Sequence, residues 1–196
     1  MDRGVDAVDT QIIRRSVEIL PSSGDIVAAF RGNVRREHPG AAVLEIAADL
    51  AAHHRRLWSA GGTAAAWEVE ASRVALVEKV DEWSARELYG RADACVHTET
   101  LGSVVDRLAS TWVCAFGLIG TTEVTDRTST ALWQLAELAD AYDDLIHDVA
   151  SGHRRLPVWA ALVPAVIGHS CARSEPRLDR VSAHLEQSNN AVSVRP

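Results

Sequence analysis

Proton chemistry in this chain has to come from ionisable side chains turned away from solvent, and three stretches supply them. At about 100° per residue, a helix over Ala41–Trp58 groups Val43, Leu44, Ala47, Leu50, Ala51, Leu57 and Trp58 on one face, with His54 in its middle. A second places Ala66, Val69, Leu76, Val77, Val80 and Trp83 together, with Arg73 at the centre of that face and Glu70 one turn earlier. The third, HTETLGSVVDRLASTW at His97–Trp112, opens a helix with an apolar stripe of Leu101, Val104, Val105, Leu108, Trp112, Phe116 and Ile119. Its other side reads Glu99, Ser103, Asp106, Ser110, Cys114 and Gly117, small or acidic where a solvated face would hold long charged side chains. Such a side admits a second helix or lines a cleft.

Directed into one interior, His54, Glu99 and Asp106 are the candidates for proton transfer. Glu70, Arg73, Ser103 and Arg107 are the candidates for holding a ligand, with Arg73 or Arg107 gripping an anionic small molecule. A histidine beside carboxylates of differing burial suffices for an isomerisation, elimination or cyclisation without a cofactor. Each residue also has an ordinary structural role: His54 as a core histidine, Glu99 at the positive end of its helix, Arg73 and Glu70 as an ion pair. A small-molecule-binding bundle acting as an isomerase, lyase or cyclase in a bacterial biosynthetic pathway therefore competes with a non-catalytic interaction or scaffold protein. The second reading, self-associating or partner-binding, draws on Trp133, which falls toward the acidic side of its helix.

Other chemistries have less to stand on. Asp144 and His147 have the i, i+3 spacing of carboxylate-bridged metal bundles, but the pair occurs once and on the polar side of its helix, so no metal is expected. No GxSxG elbow, GxGxxG turn or Walker loop is present. Acidic residues outnumber Lys and Arg 27 to 20, and the paired arginines form no basic stripe, which argues against nucleic acid. Cys95, Cys114 and Cys171 have no CxxC spacing, so a reducing cytoplasm is expected. No apolar run reaches the roughly 20 residues of a bilayer span, and MDRGVDAVDT has no signal-peptide pattern.

The elements that must position these groups are helices, because apolar residues recur at spacings of three and four and strict alternation is absent. The pattern predicts an all-α helical bundle of about five to seven helices. The first runs from about Thr10 to Leu20 and ends at Pro21; the second begins after Asp25 and stops near Gly32. Further helices are expected over Ala41–Trp58, Thr63–Leu88, Thr98–Ile119 with Thr98 as N-cap, Asp126–Ala150, and a short one from Pro157 to Ile167. Residues 1–167 then form a single helical domain, and 168–196 a loosely attached polar tail with at most a short helix near Leu178–Leu185.

HRRLW at His54–Trp58, RVALVEKVDEW at Arg73–Trp83, HTETLGSVVDRLASTW, LAELADAYDDL at Leu135–Leu145 and GHRRLPVW at Gly152–Trp159 together resemble the bacterial domain of unknown function 4254 family. The resemblance spans about Leu44–Trp159. It implies a helical, soluble bacterial protein, transfers no reaction, and marks Arg73, Asp81, Glu99, Asp106 and Arg107 as matching family motifs. Where the family tends to carry an acidic pair and an arginine after the LWxx segment, this chain has Gly61, Gly62 and Ala65. Where it tends to carry Ile-Asp-x-x-Asn, this chain has Ala66, Trp67 and Glu70, so any role of those acids is lost here.

Overall fold

The computed structural model describes residues 18–59, 66–88, 90–119 and 126–158. Among them are five helices, α1 (Ser23–Phe30), α2 (Ala41–Ser59), α3 (Ala66–Glu87), α4 (Leu101–Ile119) and α5 (Asp126–Ala150), and two short strands, β1 (Cys95–Val96) and β2 (Arg154–Arg155). The fold is all-α, as the periodicity requires. Of the helix expected over Thr10–Leu20, only Glu18, Ile19 and Leu20 are described; the first two are helical and Leu20 is a bend. Contacts divide the chain into Met1–Ala160 and Ala161–Pro196. The predicted helix reaching Ile167 and the tail after it lie outside the described residues.

Local chemistry sets the helix ends. Ser22 Oγ accepts the Asp25 N–H at 3.2 Å while Asp25 Oδ2 accepts the Ser22 N–H at 3.3 Å, a reciprocal cap that starts α1 at Ser23, earlier than expected. At its other end Gly32 adopts a φ of 91°, where a side chain would be strained. Gly40 precedes α2 because a Cβ there would collide with the Ile19 carbonyl and sit 3.1 Å from the Pro21 ring. For α4 the cap is Thr100, not Thr98: Thr100 Oγ1 accepts the Ser103 N–H at 3.2 Å. Glu99 consequently precedes the helix and does not lie in its first turn.

The central element is α4, which packs against each of the other four helices. Leu101, Val104, Val105, Leu108, Ala109 and Trp112 are buried in that core with Val43, Leu44, Ala47 and Leu50 of α2. The predicted stripe leaves the core at its end, for Phe116 and Ile119 are exposed. Phe116 instead stacks on Trp112, with ring centroids 4.9 Å apart. Among the described residues α4 is also the one helix long and apolar enough to cross a membrane, which the residue-run count had not anticipated. Half of that apolar window is buried inside the bundle, so the composition is accounted for by its place in the core.

Two small residues let α4 approach its neighbours. A Cβ on Gly102 would strike the Val77 carbonyl of α3, and one on Gly117 would come within 2.8 Å of the Trp58 indole of α2. The small side of α4 thus serves to admit helices. One two-residue parallel ladder, Cys95 with Arg154 and Val96 with Arg155, joins the loop before α4 to the segment after α5. It is too short to leave a period-two signature in sequence.

Candidate functional site

Asp106 lies on the flank of α4 that meets both α2 and α3, and the site is built around it. His54 of α2 donates from Nε2 to Asp106 Oδ1 at 2.8 Å. Arg73 of α3 donates from Nη1 to Asp106 Oδ2 at 2.6 Å. The same guanidinium turns its other edge to Glu70, with Nε 3.1 Å from Glu70 Oε2 and Nη2 bonded to Oε1. A continuous chain of hydrogen bonds therefore runs Glu70–Arg73–Asp106–His54 across three helices. The side chains of His54 and Asp106 are each 12% exposed and that of Arg73 is 29% exposed, so the chain is covered at its histidine end and opens toward solvent at Glu70.

The rotation of α2 is held by the next residue. Arg55 Nη1 donates to the Phe30 carbonyl at 2.8 Å and the guanidinium lies over the Trp112 ring. With Arg55 fixed on that side, His54 is directed to Asp106.

The protonation states follow from the surroundings. Burial alone would raise the Asp106 carboxyl, but the bonds and charges of His54 and Arg73 outweigh it and hold the group below the usual carboxylate range. Glu70 lies below its usual range because of the bond from Arg73, and the guanidinium is held still more firmly protonated, first by Glu70 and then by Asp106. An ionised carboxylate only accepts, so neutral His54 carries its proton on Nε2 and its lone pair on Nδ1.

Sequence reasoning missed the adjacent His53. It is only 3% exposed, its ring meets that of His54 edge to face at 5.7 Å, and its Nε2 is buried without a hydrogen-bond partner. Burial, then the charges of His54 and Arg56, push its pKa down. The helical wheel had centred the apolar face on His54, yet that face is covered from two sides and the more deeply buried ring is His53. The His-His pair itself was the available signal.

The remaining candidates lie elsewhere. Arg107 meets Glu99 as a two-pronged pair, Nη1 to Oε1 at 3.0 Å and Nη2 to Oε2 at 2.7 Å, on a half-exposed surface. Ser103 completes the α4 cap, its Oγ accepting from Thr100 Oγ1 at 3.0 Å. Asp81 reinforces the same helix start by accepting the Gly102 N–H at 2.7 Å; burial raises its carboxyl, opposed first by the Gly102 donor. Asp144 and His147 are both exposed on α5. Their neighbour Asp143 is half-buried and accepts the Ser23 N–H at 2.8 Å and the Ser23 hydroxyl at 2.6 Å. Among the described residues no group of three or more His, Cys, Asp or Glu is arranged to hold a metal.

Glu70, Arg73, Asp81, Glu99, Asp106 and Arg107, together with the GHRRLPV run, fall in one stretch of sequence. Residues 67–158 match the family model described as protein of unknown function, DUF4254. Over those residues the chain is similar to that family. The match begins later than the resemblance from Leu44 suggested, so three links of the hydrogen-bonded chain, Glu70, Arg73 and Asp106, lie within the matched segment while His53 and His54 precede it. No curated protein and no solved structure matches the chain.

Proposed function

We propose that the His54–Asp106 pair, braced by Arg73, is the proton-transfer centre of a small-molecule site. The observation that carries this reading is the double engagement of Asp106, one oxygen on His54 and the other on Arg73. A carboxylate held in this way fixes the imidazole tautomer and plane and stabilises the imidazolium that forms when Nδ1 takes a proton. The reaction class that fits is abstraction and return of a proton, as in an isomerisation, elimination or cyclisation.

The charge balance shapes the ligand. Two carboxylates, Glu70 and Asp106, surround one guanidinium, Arg73, which leaves one net negative charge while His54 is neutral. Arg107 is matched by Glu99 in the same way. Both arginines proposed for gripping an anion already hold carboxylates, so a neutral or cationic small molecule suits the cluster better than an anionic one.

A library of neutral and cationic metabolites, followed through the amide and imidazole resonances of the full chain, tests this. The expected result is a ligand that shifts His54 and Asp106 and loses affinity and turnover in His54→Ala and Asp106→Asn. Retention of both in the two variants refutes it.

A second reading rests on a separate observation. Trp133 is 70% exposed with Leu132 exposed beside it, the kind of surface that interaction proteins bury on a partner. Light scattering of wild type against Trp133→Ala separates the two: self-association abolished by the substitution favours the interaction protein, and a monomer in both counts against it.

A further inference from the structure

We propose that the cleft between the last turn of α3 and β2 binds a small carboxylate whose apolar body is about the size of one aromatic ring, with Arg155 receiving the carboxylate. This site lies at the end of α3 beyond Arg73 and does not rest on the preceding reading.

The cleft has a volume of about 140 Å³ and is partly enclosed by Leu88, Val149, Leu156 and Val158, with Ser84 and Arg155 the residues of polar side chain among those lining it. An apolar protein cavity of about 150 Å³ accepts benzene. The space therefore suits a single ring or a branched aliphatic chain and excludes a nucleotide or a folded peptide.

Its polar side is singular. Ser84 Oγ is already bonded to the Asp81 carbonyl at 2.9 Å, which leaves Arg155 to meet a ligand. Successive residues of a strand point to opposite sides. Arg154 accordingly turns to Asp148 at 3.2 Å, while Arg155 has no carboxylate within ion-pair distance among the described residues. The Arg155 Nε is buried with no hydrogen-bond partner. A desolvated donor of this kind calls for an acceptor, and the edge of a guanidinium is shaped to take both oxygens of one carboxylate. Gly90 makes the arrangement sterically possible, since a Cβ there would lie 2.5 Å from the Arg155 Cβ. An apolar box of ring size with one unmatched cationic fork selects an aryl or branched alkyl carboxylate.

Titration of the full chain with benzoate, followed by amide and Arg155 Nε–H resonances, tests the assignment. Saturable shifts at Leu88, Val149, Leu156 and the Arg155 side chain are expected, with an affinity of roughly millimolar for so small a ligand. Benzamide, of the same shape without the charge, should bind about tenfold more weakly, and Arg155→Gln should weaken benzoate by about the same factor. Val158 is exposed, so Val158→Asp leaves the fold intact and keeps the test decisive if Arg155→Gln does not fold; its added charge should also weaken benzoate about tenfold. Equal binding of benzamide, undiminished binding by either folded variant, or the absence of saturable shifts at these residues would overturn the proposal.

Discussion

Replacing Asp106 by Asn keeps the shape of the side chain and removes its charge, and two consequences can be worked out from the bonds it makes. The amide oxygen must face Arg73, because a guanidinium only donates; the amide N–H then faces His54 Nε2. To accept that bond, His54 has to move its proton from Nε2 to Nδ1. In stability, the variant exchanges an ion-paired bond to Arg73, of about 1.5–3 kcal/mol, for a weaker one from the same guanidinium to an uncharged amide oxygen. Arg73 keeps Glu70 and is partly exposed, so the loss stays below the roughly 3–5 kcal/mol of a stranded buried ion. A loss of about 2 kcal/mol is expected, equivalent to a melting temperature lower by about 4–8 °C. The depressed carboxyl gives the effect a sign in pH. Asp106 contributes its stability above the ordinary value of 3.8 and loses it as pH falls through its lower folded value, so wild type and variant should converge in acid. Urea unfolding against pH and nitrogen-15 spectra of His54 read the two consequences separately. An Nε2–H tautomer retained in Asp106→Asn, or a stability change near zero at neutral pH, would refute the reasoning.

Two further outcomes concern the surroundings of the site. Gly102→Ala should destabilise by about 1–3 kcal/mol in urea unfolding despite alanine's higher helix propensity, because the new methyl meets the Val77 backbone carbonyl and lies 2.8 Å from Asp81 Oδ1. His53, buried and depressed, takes up its proton more readily in the unfolded chain; stability should therefore fall as pH drops from the ordinary 6.5 toward the lower folded value, and His53→Phe should flatten that limb of the stability profile. This window opens at 6.5 and the one set by Asp106 at 3.8, so both can be read in one pH series.

Helix spacing carried most of the architecture. The Ala41–Trp58 and Asp126–Ala150 patterns end within a residue of the observed α2 and α5, since their apolar faces are continuous and glycine or proline marks most of their ends. What periodicity could not supply is partner identity. Thr98 and Thr100 are equally good caps by composition, and the choice falls to Thr100, where Asp81 also reaches the Gly102 amide from another helix. His53 and His54 sit only one step apart on the helical wheel, and which is sealed depends on how α3 and α4 close over them. Asp143 looks hydrated until Ser23, 120 positions earlier, is placed beside it. The inward direction of His54, Arg73 and Asp106 was legible because each interrupts or borders an apolar face. That Glu99 and Arg107 would find each other on a half-exposed surface was not, as it depends on the helix starting at Leu101.

The position of α4 at the hub also bears on how the chain is made. Residues 101–119 are translated after α1, α2 and α3, yet each of those helices leans on them. While the ribosome is still completing the first hundred residues, α1, α2 and α3 can meet one another but the apolar surfaces that α4 covers have no partner, and collapse around the hub must wait for its emergence from the exit tunnel. Until then the growing polypeptide is a natural client for holding chaperones, and substitutions that slow the docking of α4 should lower yield in cells before they lower the stability of the finished fold.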